Sequence, residues 1–87
     1  MLKIQKTSNG QVVLALSGQI DEQHITELET EMGMETNRSS IVLDLKDVTL
    51  VSREAIGFLE RCEASGVTLK NCPAYVREWI TRERRRG

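Results

Sequence analysis

Aromatic residues are scarce in this sequence: Phe58, Tyr75 and Trp79 are the only ones in 87 positions. Single-stranded nucleic-acid binders lay successive bases on aromatic platforms, and this chain has too few to build them. Its net charge of −1 also lacks the basic excess that a nucleic-acid partner calls for, so no nucleic acid is expected. No apolar run approaches the ~20 residues needed to cross a bilayer. The opening Met1-Leu2-Lys3-Ile4-Gln5-Lys6 lacks the apolar core of a signal peptide. A cytoplasmic protein without membrane insertion is therefore expected. Cysteine is limited to Cys62 and Cys72, without CxxC spacing, and histidine to His24. These suggest neither a zinc site nor a disulfide framework; reduced thiols, no metal and no cofactor are expected.

What is present suffices for one small domain over residues 1–87. The hydrophobic fraction is 39% and the charged fraction 29%, a globular balance, although so short a chain buries only about 60–65% of its unfolded surface. Charge is unevenly spread: residues 1–36 hold two basic and six acidic groups, residues 37–87 ten basic and seven acidic.

Leu2 and Ile4 alternate with polar neighbours, and the turn signal Ser8-Asn9-Gly10 leads into Val12-Val13-Leu14-Ala15-Leu16, which reads as a hairpin entering a buried strand. Asp21 is placed to cap a helix, with Ile20 and Ile25 as the two halves of a hydrophobic staple. Ile25, Leu28 and Met32 continue one helical face and Gly33 ends it. After a polar loop from Glu35 to Ser40, Ile41-Val42-Leu43-Asp44-Leu45 reads as a second buried strand. Ser52 caps the next helix, whose apolar stripe is Ala55, Ile56, Leu59 and Cys62; Ser65-Gly66 closes it. Val67-Thr68-Leu69-Lys70 is a third core strand. Pro73 opens the last helix at its first position, with Val76, Trp79 and Ile80 as the buried stripe. The order β-β-α-β-α-β-α predicts an α/β fold with a mostly parallel sheet and one antiparallel N-terminal hairpin strand.

No catalytic constellation is visible. There is no Gly-rich phosphate loop, HExxH or GxSxG, and an enzyme is not expected. His24 falls off the apolar stripe and reads as a solvated surface histidine. Cys62 reads as a small core hydrophobe. Cys72, between a strand and a helix start where the dipole lowers a thiol pKa, reads as a packing or capping residue. Glu22, Glu27, Glu29, Glu31 and Glu35 read as a solvated acidic flank. The arginines of Arg82-Glu83-Arg84-Arg85-Arg86 oppose the last helix's dipole, helped by a Glu78 to Arg82 pair.

The segment from Leu43 to Leu59, with Leu43-Asp44-Leu45 as its strand and Ala55-Ile56-Gly57-Phe58-Leu59 in its helix, resembles the signature of the STAS family (sulfate transporter and anti-sigma factor antagonist). Leu16-Ser17-Gly18-Gln19-Ile20-Asp21 is similar to that family's G-x-[LI]-D turn, and Asn71-Cys72-Pro73-Ala74-Tyr75-Val76 to its Pro-x-x-Val helix start. The three pieces stand in order and span residues 12–80. In anti-sigma factor antagonists of this family, a kinase-like anti-sigma factor phosphorylates a serine of an Asp-Ser-Ser-Gly motif. Aligned on Leu45 and Gly57, that motif falls on Ser52, Arg53, Glu54 and Ala55, so the acceptor position holds Glu54.

The resemblance implies a non-catalytic protein-binding module whose face includes Asp21, Ser52, Arg53 and Glu54, without phosphorylation at Glu54. Its implied partner is a kinase-like anti-sigma factor or, as an alternative, the ATPase of a lipid-transporting ABC complex. A nucleotide-binding or hydrolysing domain is a further alternative. The family commonly continues with another strand and helix. Here one sheet edge is expected to be bare, and a weak homodimer is one way to cover it.

Overall fold

Apolar alternation in the first twenty residues produces two paired strands, β1 (Leu2–Ser8) and β2 (Val12–Ile20), in the computed structural model, which describes residues 2–8, 10–33 and 40–86. They run antiparallel with Leu2 opposite Gly18 and Ile4 opposite Leu16. β3 (Ile41–Val51) and β4 (Thr68–Lys70) add in parallel, giving the sheet order β1-β2-β3-β4. Between them run α1 (Glu22–Gly33) and α2 (Arg53–Ala64), and α3 (Ala74–Arg86) follows β4. The expected α/β order is thus observed. Asn9, positions 35–39 of the expected polar loop, Glu35 of the acidic flank among them, and Gly87 lie outside the described residues.

Both parallel crossovers step the same way across the sheet, so right-handed connection puts α1 and α2 on one face. There the alternate positions Val12, Leu14 and Leu16 of β2 and Ile41, Leu43 and Leu45 of β3 meet Leu28, Met32, Ile56, Leu59, Val76 and Ile80 in one core. Val42 is also buried but stands outside that cluster, on the opposite face. That face carries the row Gln5, Ala15, Asp44, Lys70 and the row Thr7, Val13, Val42, Thr68. β2 is therefore buried on one side only, where its unbroken apolar run suggested both.

β3 runs well past the expected Leu45. Two extra residues enter it relative to β2: Ala15 pairs with Asp44 but Ser17 with Asp47, and Gly18 pairs with Val48 but Gln19 with Leu50. Each bulge rotates the strand, so burial passes from every second residue (41, 43, 45) to every third (45, 48, 51). A two-residue period cannot find that pattern. Gly18 sits at the second irregularity with φ +96°, a backbone that residues with a Cβ rarely adopt. Beyond Asp44, β3 has no ladder partner on the β4 side among the described residues. The outer edge of β1 carries the exposed Lys3 and Lys6, charges that discourage strand addition.

The helix ends follow local chemistry. Ser52 accepts the Ala55 N–H at 3.2 Å, and α2 closes in a Schellman turn. There the Val67 N–H reaches the Cys62 carbonyl, the Gly66 N–H reaches that of Glu63, and Gly66 takes φ +110°. Ala55, Ile56, Leu59 and Cys62 are buried as expected. Two readings of α3 need correction. Pro73 precedes the helix as its cap, because its carbonyl accepts the Arg77 N–H at 3.0 Å while Ala74 is the first helical residue. Proline's missing N–H is harmless at either position, so composition does not separate them. Trp79 is only half-buried at the margin of the core.

Glu63 of α2 clamps α3 by accepting from Arg77 at 2.9 Å and from Arg84. The exposed Glu78 and Arg82 pair at 2.8 Å as their spacing suggests. The Arg77 hydrogen bond holds the Glu63 carboxyl below its ordinary value of 4.5, against the opposing effect of partial burial. The Lys46 N–H does the same for Asp44, helped by Asn71, from an ordinary 3.8. Both folded values are depressed, so their stabilisation is complete above the ordinary values and disappears as pH falls through the folded ones. Urea midpoints should therefore drop on acidification below about pH 4.5, and Glu63→Gln should flatten that drop. Because all three members of the clamp are partly exposed, the Glu63→Gln loss near neutrality should stay within about 1 kcal/mol.

Candidate functional site

The parallel pair β2 and β3 ends level, with Ile20 opposite Val51, and the Ser52 N–H donates to the Ile20 carbonyl at 2.9 Å. The next residue on each strand, Asp21 and Ser52, starts a helix. Two helix N-termini thus emerge side by side at the carboxyl edge of the sheet, where open α/β sheets place their sites. All four residues singled out from sequence, Asp21, Ser52, Arg53 and Glu54, lie along this edge.

They divide into two kinds. Asp21 and Ser52 are committed to capping: Asp21 Oδ1 accepts the Gln23 N–H at 3.0 Å, and Ser52 bonds Ala55 as described. Arg53 and Glu54 are exposed. Glu54 stands in the first turn of α2, where a carboxylate opposes the positive end of the dipole. Neither side chain has a hydrogen-bond or ion-pair partner among the described residues.

His24 belongs to this edge as well, contrary to its reading as a solvated surface residue. It is 18% exposed, and its Nδ1 accepts the Asp21 N–H at 3.3 Å while its own N–H donates to the Asp21 carbonyl at 3.0 Å. The imidazole takes the role that Glu or Gln plays in a capping box, with the neutral ring's proton on Nε2. The same Nδ1 lies 3.1 Å from Asp21 Oδ1. Its position three residues after Asp21 was the available signal. Ile20 and Ile25 form the expected staple, the first fully buried and the second packed on the core's margin.

An open groove of about 560 Å³ runs from this edge between α1 and α2. Glu22, Ile25 and Thr26 line one wall, and Arg53, Glu54, Gly57 and Arg61 the other, with Glu83 of α3 at its border. Arg53, Gly57 and Arg61 are four residues apart and so share a helix face, a spacing the sequence contained. Gly57 lines the groove with room to spare: a Cβ there would come no nearer than 3.5 Å to Arg61 Nη1, an ordinary van der Waals contact. The walls mix both signs of charge around a small apolar strip. Among the described residues no cluster of three His, Cys, Asp or Glu is set to hold a metal. Partial burial pushes the Cys72 thiol up rather than down. No helix among the described residues is long and apolar enough to cross a membrane.

No family model matches the sequence, and no curated protein is similar to it. Solved structures similar in fold include the following two. One is the anti-sigma factor antagonist SpoIIAA in its unphosphorylated form, with TM-score 0.69 and 11% identity over 93% of this chain and 82% of that one. The other is an uncharacterized DUF3478-family protein with a SpoIIAA-like fold from Shewanella loihica PV-4, with TM-score 0.49 and 16% identity over 95% of this chain and 76% of that one. The likeness to SpoIIAA shows that this chain has a SpoIIAA-like, STAS-like fold.

Proposed function

We propose that this SpoIIAA-like domain is a non-catalytic protein-binding module of the anti-sigma factor antagonist kind, acting in the cytoplasm without a serine switch at the motif position. The observation that carries the reading is the pair Arg53 and Glu54, exposed and unpaired among the described residues, at the mouth of a groove between two helix starts. The hydroxyl of Ser52 serves the helix cap, and the residue at the acceptor position is a carboxylate, which forms no stable phosphoester.

The partner is a kinase-like anti-sigma factor, bound along Asp21, Ser52, Arg53 and Glu54 and the groove behind them. Capture from the native cell on immobilised domain tests this. Recovery of an ATP-binding kinase-like protein, lost on the double reversal Arg53→Glu with Glu54→Arg, is the expected result. Recovery of an ABC-transporter ATPase instead would move the assignment to a transporter-regulating role. Phosphate release from ATP or GTP by the purified domain, abolished by Glu54→Ala, would overturn the non-catalytic reading.

A further inference from the structure

Of the three aromatic residues, Phe58 is in the core, while Tyr75 and Trp79 lie one turn apart on α3. Tyr75 is 48% exposed, and its hydroxyl donates to the Thr49 carbonyl at 3.1 Å. That bond fixes the ring against the end of β3, where Leu50 follows Thr49 in the chain and is, at 60%, the other large apolar residue left exposed among the described residues. Tyr75, Glu78, Trp79, Arg82 and Glu83 border one surface depression of about 370 Å³. Three- and four-residue spacings make them a single stripe along the helix. Tyrosine, tryptophan and arginine are the residues that most often dominate binding energy at protein interfaces.

We propose that this stripe is a self-association surface that takes a second copy of the chain, the two α3 helices packing antiparallel about a two-fold axis level with Ile80. The stripe's charges are complementary to themselves in that arrangement and in no parallel one. Glu78 of each copy comes opposite Arg82 of the other, so the intramolecular pair, already formed at 2.8 Å, closes into a ring of four alternating charges. Tyr75 of each copy comes opposite Arg85 of the other, a cation over an aromatic ring, and Arg85 is exposed without an ion pair among the described residues. An isologous contact needs this self-complementarity. The surface is distinct from the α1–α2 groove, with which it shares only Glu83.

The 13 residues of α3 span only about 20 Å. A single contact of that length falls short of the ~1,200 Å² at which stable complexes begin. The dimer is therefore weak and concentration-dependent.

Sedimentation equilibrium of the whole chain over a broad concentration range tests it, with Glu78→Arg and Arg82→Glu as variants. Both positions are highly exposed, at 66% and 71%, and circular dichroism should show the fold unchanged. The wild-type mass should climb from 9.9 kDa towards twice that value, and less steeply as salt is raised. Each variant alone brings four like charges together and should associate at least about tenfold more weakly. Mixed one to one, the two variants set opposite charges against each other across the contact and should recover the dimer. A wild-type chain that stays monomeric throughout, association indifferent to salt, or a mixture no better than its components would each overturn the proposal. Association that both variants retain would assign it to another surface, such as the edge of β1, and would overturn it equally.

Discussion

Leu59→Ala should bring the domain close to unfolding in buffer alone, lowering its stability by about 2–5 kcal/mol. Leu59 has no exposed surface and lies at the centre of the helical layer, in the same cluster as Leu14, Leu43 and Ile80. Truncation removes its transfer energy and leaves a cavity that a sheet on one side and two helices on the other cannot both collapse to fill. At ~0.05–0.15 kcal/mol per residue, a chain of this length has only about 4–13 kcal/mol in total, so the loss is a large share of the whole. Leu50→Ala supplies the contrast: that side chain is 60% exposed, and its truncation should cost less than about 0.5 kcal/mol in dilute solution. Urea unfolding followed by circular dichroism gives both values on one axis. Equal midpoints for the two variants would contradict the placement of the core.

Glu54→Ser should turn a domain that carries no phosphate into one phosphorylated to completion by a kinase-like anti-sigma factor. Given the proposed function, the first turn of α2 supplies the physical reason. Position 54 is exposed beside helix N–H groups that favour an anion, so a hydroxyl there is accessible and its phosphate well placed. In the wild-type chain the neighbouring hydroxyl of Ser52 is engaged by Ala55, and releasing it would cost the cap about 1 kcal/mol. Glutamate supplies one negative charge, against about −1.5 to −2 and three acceptor oxygens for phosphoserine. Glu54 therefore imitates the modified state only in part, and the affinity of Glu54→Ser for its partner should change on phosphorylation by more than Glu54→Gln changes it. Intact-mass measurement reads the outcome. Stoichiometric phosphate on Ser52 or Thr49 of the wild-type protein would show that the switch has moved along the loop, and a Glu54→Ser chain left unmodified would count against the kinase-like partner.

Much of the architecture was legible because it is enforced over short distances. Asp21 and Ser52 cap helices through N–H groups two and three residues away. The staple of Ile20 and Ile25 and the Ser65-Gly66 closure likewise act within a turn or so. The reading failed where one local pattern fits two geometries. The bulges opposite Ala15–Ser17 and Gly18–Gln19 carry β3 six residues past the expected Leu45 in a three-residue rhythm. Pro73 suits the cap as well as the first helical position. His24, at the third helical residue, reads as solvated because it falls off the apolar stripe, whereas a capping box usually shows a carboxylate or amide at that position.

The sequence by itself determined the element order, the apolar faces and the anion at position 54, since composition and short-range periodicity act within a few residues. Only the tertiary structure decided what those elements bring together. Asp21 and Ser52 become neighbours because Ile20 pairs with Val51. Arg53, Gly57 and Arg61 become one wall of a groove because α1 lies opposite them, and Tyr75 is tied to the end of β3 because its hydroxyl finds the Thr49 carbonyl. The physical reason is the same in each case. Strand pairing and helix packing join residues far apart in the chain by burying apolar surface, a force proportional to area and without direction of its own, so which polar groups are left side by side at the rim is set by the completed packing and by no local signal.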